Sequence, residues 1–368
     1  MNKNQLIENV VEGGTNILVY KSKKSKKGPG LKDDFPFYNP AMELNRDLSI
    51  LICQWLIDNS KKKLNILDGL AASGIRGLRI ANEVCGEFNI IVNDWNPKAY
   101  DLAKKNIKNL NLKNIVAFNR NLNSLLSDNK YDYIDIDPFG SPVYFIDSAI
   151  RSICNEGIIA CTATDTAALC GTYPKVCLRR YGAISYHSIV MKEIGLRILL
   201  GLICREAGKY DKSIKPLVCY CTDHYFRIYV QILNGTGRAN DSMKNFKIIK
   251  SKNLFSPKNE NIDIGPLWTG KLENKKIITE LITMLFERKL NTKKELWKLL
   301  DLLEEEADAP NFFYTTDKMA SLLKKSPPKM EVVFERLKQK GYIVYRTHFN
   351  STGFKTNATI SEIEKVYK

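Results

Sequence analysis

The stretch LNILDGLAASGIRGLRIA (residues 64–81) decides the fold. It combines the apolar run of a buried strand, a loop of small residues and the apolar spacing of a helix. More strand-like runs, separated by helical stretches, follow at 88–94, 115–119, 131–137 and 157–164. This alternation predicts a parallel sheet with helices on both faces, an α/β fold of the Rossmann-like type. Ligands bind such sheets beyond the carboxyl ends of the strands.

The first 233 residues are predicted to comprise an N-terminal extension and a Rossmann-like domain. Residues 1–63 are predicted to form an N-terminal extension that carries a basic loop, KSKKSKKGPG (21–30), and packs on the Rossmann-like domain. We assign residues 64–233 to that domain. Its last apolar stretch, 215–233, predicts two closing strands, for which antiparallel pairing is one option.

Residues 234–368 are predicted to form a C-terminal α+β domain. We expect the polar stretch 234–263 to be a linker or a loop-rich insertion. The stretch SPPKMEVVFERLKQKGYIVYRTHF (326–349) predicts a proline-capped helix followed by a strand, an order typical of winged-helix modules.

Charge and composition limit the class of protein. Lys and Arg number 56 against 40 Asp and Glu, and the net charge of +16 favours a polyanionic partner such as nucleic acid, although a basic proteome gives the same excess. No signal peptide is recognisable, and Arg197 and Arg205 interrupt the longest apolar run, so we expect a cytoplasmic protein without a membrane span. The nine cysteines form no C-x-x-C pair; Cys219 and Cys221 are predicted to be core residues and no metal site is expected.

The loop after the first strand favours a nucleoside ligand. Asp68 ends the strand, and the small residues that follow, including Gly69 and Gly74, allow a ligand to approach the backbone. The loop has neither the G-x-G-x-x-G nor the G-K-[ST] pattern of phosphate cradles. Asp94, at the end of the second strand, could accept both hydroxyls of a ribose, or it could cap a helix. S-adenosylmethionine is the common nucleoside cofactor that carries no phosphate. On these residues alone, a dinucleotide remains an alternative ligand.

The sequence Asp137-Pro138-Phe139 follows the fourth strand and predicts a catalytic loop at the same edge. It resembles the (Asp/Asn/Ser)-Pro-Pro-aromatic motif of methyltransferases that alkylate exocyclic amino nitrogens. Such an amine is a poor nucleophile, which a carboxylate and a backbone carbonyl improve by accepting its N–H groups. Phe139, with Phe37 or Tyr38 as a second wall, would stack on an everted base. The simpler alternative is a structural turn with Phe139 in the core.

Segments spread through most of the chain resemble the tRNA (guanine-26-N2)-dimethyltransferase family. They include FYNPAMELNRDLS, LDGLAASGIRGLR, DIDPFGSP, TATDTAALCGTYPKVCLRRYG, GPLWTG and RTHFNSTGFKTNA, in this order. The resemblance implies transfer of one or two methyl groups from S-adenosylmethionine to the 2-amino group of guanine 26 of tRNA. The fold it implies is a Rossmann-like methyltransferase domain followed by a family-specific C-terminal domain, with tRNA as the partner and no obligatory protein partner evident.

The resemblance also implies roles for single residues. Arg46, Arg76 and Asp94 match cofactor contacts, and Asp137 and Phe139 match the catalytic motif. Asn121 and Leu122 occupy the position beside the adenine, where many relatives carry Asp-Ala. Relatives often have two C-x-x-C pairs before GPLW; residues 234–264 contain no cysteine, so zinc is not expected.

Three other functions compete with this interpretation. The same chemistry could act on another RNA guanine or on a DNA adenine or cytosine amine, because the sheet and the motif are shared. A nicotinamide-dependent oxidoreductase is disfavoured by the missing G-x-G-x-x-G pattern. A basic RNA-binding protein without activity is disfavoured by the intact Asp-Pro-Phe sequence.

Overall fold

The structure is a computed structural model that describes residues 7–21, 36–222, 224–254 and 261–367. The strands are β1 (Ile7–Glu12), β2 (Thr15–Tyr20), β3 (Leu64–Asp68), β4 (Phe88–Asn93), β5 (Ile115–Phe118), β6 (Tyr131–Ile136), β7 (Ile153–Ala163), β8 (Lys212–Cys221), β9 (Phe226–Asn234), β10 (Phe246–Lys250), β11 (Asp263–Trp268), β12 (Tyr314–Thr315), β13 (Val344–Arg346) and β14 (Gly353–Thr356). The helices are α1 (Glu43–Asp58), α2 (Ile75–Glu83), α3 (Pro97–Asn109), α4 (Leu122–Asp128), α5 (Val143–Ser152), α6 (Thr166–Leu169), α7 (Pro174–Tyr181), α8 (Met191–Gly208), α9 (Thr236–Met243), α10 (Lys275–Glu287), α11 (Lys293–Glu306), α12 (Thr316–Leu322), α13 (Met330–Gln339) and α14 (Ile360–Val366).

A seven-stranded sheet in the order β5-β4-β3-β6-β7-β9-β8 forms the centre of the molecule. Strands β3 to β7 are parallel, and β8 and β9 are antiparallel closing strands. The predicted α/β fold with a parallel sheet is therefore confirmed. Because β9 runs antiparallel to β7, with Phe226 opposite Ala163, the β8–β9 turn lies at the edge where the parallel strands end.

Apolar side chains cover both faces of this sheet. On one face, α4, α5 and α8 pack against the sheet in a core that includes Cys219 and Cys221, as predicted. On the other face, α1 and α2 share a core with α10 and α11. The β1–β2 hairpin of the N-terminal extension is fixed to α3, since Asn106 exchanges two hydrogen bonds with the backbone of Leu18, at 2.8 and 2.9 Å.

The C-terminal residues form a smaller unit with its own core. Strands β12, β14 and β13 form an antiparallel sheet packed against α12, α13 and α14. The predicted helix-then-strand order is confirmed as α13 and β13. The domain boundaries at residues 64 and 234 stay predictions. Helices α10 and α11, which follow residue 234, share a core with α1, which precedes residue 64.

The prediction that residues 234–263 form a linker or a loop-rich insertion was wrong for their described part. They contain α9 and β10, and β10 pairs with β11 while Phe246 and Ile249 contact the main core. In β10 Phe246 and Ile249 are half-buried, whereas Ile248 is 61% exposed, so the strand has no strict alternation by which the sequence could reveal it. The basic loop 21–30 lies, apart from Lys21, outside the described residues. None of the described helices is long and apolar enough to span a bilayer.

Candidate active site

A cavity of about 830 Å³ opens beyond the carboxyl ends of the parallel strands, where the fold predicts a ligand. Its walls come from six parts of the chain, which are the residues before and within α1, the loop after β3, the loop after β4, the loop after β6, Thr164 after β7, and the β8–β9 turn. Of the predicted site residues, those that line it are Phe37, Arg46, Asp68, Arg76, Asp94, Asp137, Pro138 and Phe139. The cavity therefore brings the predicted cofactor and catalytic residues together.

The loop after β3 is shaped by close backbone packing. Gly74, before α2, has a φ of +77°, and a Cβ atom on Gly69 would lie 2.9 Å from the Leu122 side chain and 3.0 Å from the Asp135 carbonyl. Asp68 accepts the backbone N–H of Gly77 at 3.0 Å, which secures the first turn of α2. Burial raises the pKa of Asp68 to about 7. Gly69 and Gly74 thus shape the loop without lining the cavity.

Asp94 joins the loops after β3 and β4. Its carboxylate accepts the N–H of Ala72 at 2.7 Å and the N–H of Asn96 at 2.8 Å, and burial raises its pKa. The cap of α3 is Asn96, which accepts from Lys98, so Asp94 is not the helix cap. A carboxylate has about four acceptor positions, so the two backbone bonds leave Asp94, which lines the cavity, with acceptor capacity for ligand hydroxyls.

Asn121 and Leu122 do not line the cavity. Asn121 caps α4, where its side-chain oxygen accepts from the backbone N–H groups of Asn123 at 3.0 Å and Ser124 at 3.3 Å. Leu122 is only 3% exposed and belongs to the core. Their predicted contact with an adenine stays a prediction, which the capping bonds of Asn121 do not favour.

Asp137 forms an ion pair with Arg76 at the cavity wall. The Arg76 guanidinium also donates to Asn45 Oδ1 at 2.6 Å and to Ser49 Oγ at 2.7 Å, and its Nε lies 3.4 Å from an Asp135 oxygen. The Asp137 side chain retains 22% of its exposure, whereas that of Arg76 retains 5%. Arg76 is therefore a buried link between the catalytic loop, α1 and the end of β6.

Behind Arg76 lies a second, fully buried ion pair. Arg227 on β9 donates to both oxygens of Asp135, at 2.6 and 3.0 Å, and Tyr133 donates to Asp135 at 2.8 Å. Burial would raise the pKa of Asp135, but the charges of Arg227 and Arg76 lower it below its usual range. Asp135 therefore stays charged and gives Arg76 a fixed counter-charge on the interior side.

Phe139 lies at the mouth of the cavity with 57% of its surface exposed. Its ring centroid is 5.9 Å from that of Phe37, with 53° between the planes. Three hydrogen bonds between Gly140 and Thr164 hold the loop after Phe139 in place. The core alternative for Phe139 is therefore excluded by its exposure.

Tyr38, the other predicted wall, does not line the cavity. Its hydroxyl donates to Glu12 at 2.7 Å, and the same carboxylate forms an ion pair with Arg46, whose Nε donates at 2.8 Å. Arg46 thus lines the cavity while it is held by Glu12. Of the two candidates for the second wall, Phe37 is the one beside Phe139.

The prediction missed several lining residues. They include Trp95, Tyr144, Thr164, Thr222, His224 and Tyr225. Trp95, 69% exposed, directly follows Asp94, so its position beside a predicted ligand residue was a usable signal. The residues of the β8–β9 turn gave no such signal, because only the antiparallel insertion of β9 brings them to this edge. Within the described ranges, no group of three or more His, Cys, Asp or Glu is placed to hold a metal ion.

Comparison with known proteins shows the family of the chain. The family model described as N2,N2-dimethylguanosine tRNA methyltransferase matches residues 20–368. A Methanobrevibacter smithii protein named tRNA (guanine(26)-N(2))-dimethyltransferase is 36% identical over 383 residues, covering 98% of this chain and 97% of the relative. A Pyrococcus furiosus protein of the same name is 38% identical over 380 residues, covering 95% of each chain.

A solved structure is similar over the whole chain. The complex of Trm1 from Pyrococcus horikoshii with S-adenosyl-L-methionine has a TM-score of 0.86 and 34% identity, and the match covers 98% of this chain and 100% of the other. Family model, relatives and structure thus agree over nearly the full length. As the motifs predicted, the chain belongs to the N2,N2-dimethylguanosine tRNA methyltransferase family.

Proposed function

We propose that this chain transfers one or two methyl groups from S-adenosylmethionine to the exocyclic N2 of guanine 26 of tRNA. One observation carries the proposal. The Asp137 carboxylate and the Phe37–Phe139 pair face the same cavity as Asp94 and the small-residue loop. A nucleoside cofactor and an everted base would therefore share one site. The family membership supplies the identity of the base and its position.

The residues present fit the cofactor. A cavity of about 830 Å³ is within the usual range for ligands of this size. Asp94 would accept the ribose hydroxyls, and Arg46 offers a cation for a carboxylate. The backbone at Ala71 and Ala72 permits close approach, because neither side chain extends past its methyl group. When bound, S-adenosylmethionine supplies an electrophilic methyl group on a sulfonium.

Asp137 prepares the attacking nitrogen. Its Oδ2 accepts from Arg76, which leaves Oδ1 to accept one N–H of the guanine amine. The carbonyl of Pro138 can accept the other. These bonds localise the nitrogen lone pair, which is otherwise delocalised into the ring. As the nitrogen gains the methyl group it becomes acidic, and the proton moves to Asp137 Oδ1.

The two phenylalanines hold the base. Everting a guanine from a folded helix costs a few kcal/mol, and stacking on an aromatic ring returns ~1 to 3 kcal/mol per base. Phe139 is exposed before substrate arrives, so its ring face is available for stacking. The net charge of +16 favours the approach of a polyanion such as tRNA. We expect the chain to act in the cytoplasm without an obligatory protein partner.

The test is mass spectrometry of nucleosides from an unmodified tRNA transcript incubated with the chain and S-adenosylmethionine. We expect N2-methylated guanosine, mapped to position 26, and none from a transcript with adenine at that position. Methylation that maps to another guanine, or that persists in the adenine transcript, would assign the chemistry to a different substrate. Cofactor titration is the second arm, because binding of NADH instead of S-adenosylmethionine would contradict the reaction itself.

A further inference from the structure

A short helix beside the catalytic loop has an exposed basic face. Helix α7 presents three side chains at the spacing of one helical stripe, Lys175, Leu178 and Arg179, and Tyr173 precedes its first residue. All four are exposed, Tyr173 by 59% and Leu178 by 53%. We call these four residues the α7 surface.

The inner side of α7 is fixed to the catalytic loop. Ser141, which lines the cavity, donates to the Tyr181 hydroxyl at 3.0 Å, and Tyr181 donates to Asp165 at 2.6 Å. Cys177 and Tyr181 are buried in the main core. The α7 surface therefore has a fixed position relative to the loop that carries Asp137 and Phe139. An eight-residue helix is about 12 Å long, so every residue of α7 lies within that distance of Tyr181 along the helix axis.

The charge of the α7 surface lacks compensation. Residues 172–181 contain no Asp or Glu. Arg180 pairs with Asp165 at 3.1 Å, whereas neither Lys175 nor Arg179 forms an ion pair within the described part of the chain. A rigid surface with two unpaired cations and an exposed aromatic ring is complementary to a ribose-phosphate backbone with an accessible base.

We infer that the α7 surface binds the tRNA backbone next to the everted guanine, with Lys175 and Arg179 on phosphates and Tyr173 on a base or ribose. This inference rests on the proposed function and adds a substrate contact outside the cavity. A base can enter the cavity only if its neighbouring phosphates pass over the rim. Cations on a helix that is fixed to the catalytic loop would hold these phosphates without reading sequence.

The test compares the double variant Lys175→Ala/Arg179→Ala with wild type, by tRNA binding as a function of salt and by methylation kinetics. We expect tRNA affinity to fall by about tenfold at low salt. Each lost phosphate contact should reduce the salt slope by about 1, so the two together reduce it by about 2. The KM for tRNA should rise, while kcat and S-adenosylmethionine binding stay unchanged. The loss of tRNA affinity should be equal for a transcript with adenine at position 26, because contacts to phosphates carry no sequence information.

The matched control is Lys105→Ala/Lys108→Ala on α3, which removes two exposed lysines from another helix. It should retain the wild-type salt slope. Tyr173→Ala should weaken tRNA binding without changing the slope, since stacking carries no counterions. Thermal unfolding checks that each variant is folded.

Two results would overturn the inference. One is a double variant with the affinity and salt slope of wild type. The other is a double variant that changes only the oligomeric state in size-exclusion chromatography, which would make the α7 surface a contact between copies. If wild type itself neither binds S-adenosylmethionine nor methylates tRNA, the proposed function fails first, and the two failures remain distinguishable.

Discussion

The Arg76 guanidinium donates a hydrogen bond to the carboxylate of Asp137, and its other contacts are to Asn45, Ser49 and Asp135. Arg76 is thus a positioning residue for Asp137 by geometry, whereas the family resemblance implies a cofactor contact. The two roles are compatible, since Arg76 also lines the cavity. They make different kinetic predictions.

Replacing Arg76 by Lys should separate these roles. A lysine ammonium is a point donor that cannot reproduce the fork geometry toward four acceptors, so Asp137 should lose its fixed orientation. We expect kcat to fall by about 10² with less than tenfold change in the dissociation constant of S-adenosylmethionine. Isothermal titration and single-turnover methylation measure the two quantities. A variant with normal kcat and a greatly raised KM for S-adenosylmethionine would show that Arg76 serves the cofactor alone.

Asp137→Ala should abolish most methyl transfer. Without the carboxylate, the guanine amine loses its hydrogen-bond and proton acceptor, and we expect kcat to fall by ~10² to 10⁴. Cofactor binding should persist, because Asp94 and the small-residue loop are unchanged. Asp137→Asn retains side-chain shape and a hydrogen-bond acceptor and removes only the proton acceptor. Asp101→Asn on the exposed side of α3 is the control. Near-normal turnover in Asp137→Ala would end the proposed role, whereas near-normal turnover in Asp137→Asn would end only the role as proton acceptor.

Phe139→Ala should weaken productive binding of tRNA with little effect on folding. The ring is 57% exposed, so its removal costs the folded state little, whereas loss of stacking costs ~1 to 3 kcal/mol. We expect kcat/KM for tRNA to fall roughly 5- to 150-fold at unchanged thermal stability. Phe286→Ala, which removes another exposed phenylalanine on α10, is the matched control.

Phe37 offers a check on that result. If both rings hold the same base, the losses for Phe37→Ala and Phe139→Ala should not add in the double variant, because residues in contact are coupled. Strictly additive losses would argue that the two rings act on different parts of the substrate.

The sequence was sufficient to predict the parallel sheet and the residues at the ends of its strands. Strand β3 has the predicted bounds 64–68, and Asp94 and Asp137 follow β4 and β6 as expected. These predictions depend on local periodicity, which a single stretch of chain contains. Phe37 is the exception, since its place opposite Phe139 was taken from chemistry and not from periodicity.

Contacts between residues distant in the chain could not be predicted from the sequence. Asp135 and Arg227 pair across 92 positions, and in the alternating run YDYIDID the middle aspartate has no feature that marks it as an ion-pair partner. The same holds for His224, which reaches the cavity only because β9 pairs with β7. For Asn121 the family resemblance implied a cofactor contact. In the structure its side-chain oxygen instead caps α4.

Glu306, at the end of α11, ties the C-terminal unit to the rest of the molecule. Its carboxylate accepts from Thr347 at 2.6 Å, from the backbone N–H of His348 at 3.0 Å and from Lys355 at 2.9 Å. Lys355 also lies 3.2 Å from Glu193 on α8. Burial would raise the pKa of Glu306, but His348 and Lys355 hold it well below its usual value of 4.5.

A carboxyl group whose pKa is lower in the folded state than in the unfolded state stabilises the folded state at pH values above its unfolded pKa. This stabilisation is lost as the pH falls toward the folded pKa. Glu306→Gln should therefore lower the free energy of unfolding by about 3 kcal/mol at pH 7, because Lys355 loses a buried counter-charge. The difference from wild type should shrink progressively below pH 4.5. Urea unfolding at pH 7, 5 and 4 measures it, with the exposed neighbour Glu305→Gln as control. A difference that stays constant from pH 7 to 4 would mean that the charge of Glu306 contributes nothing, and that only its hydrogen-bond geometry holds the two units together.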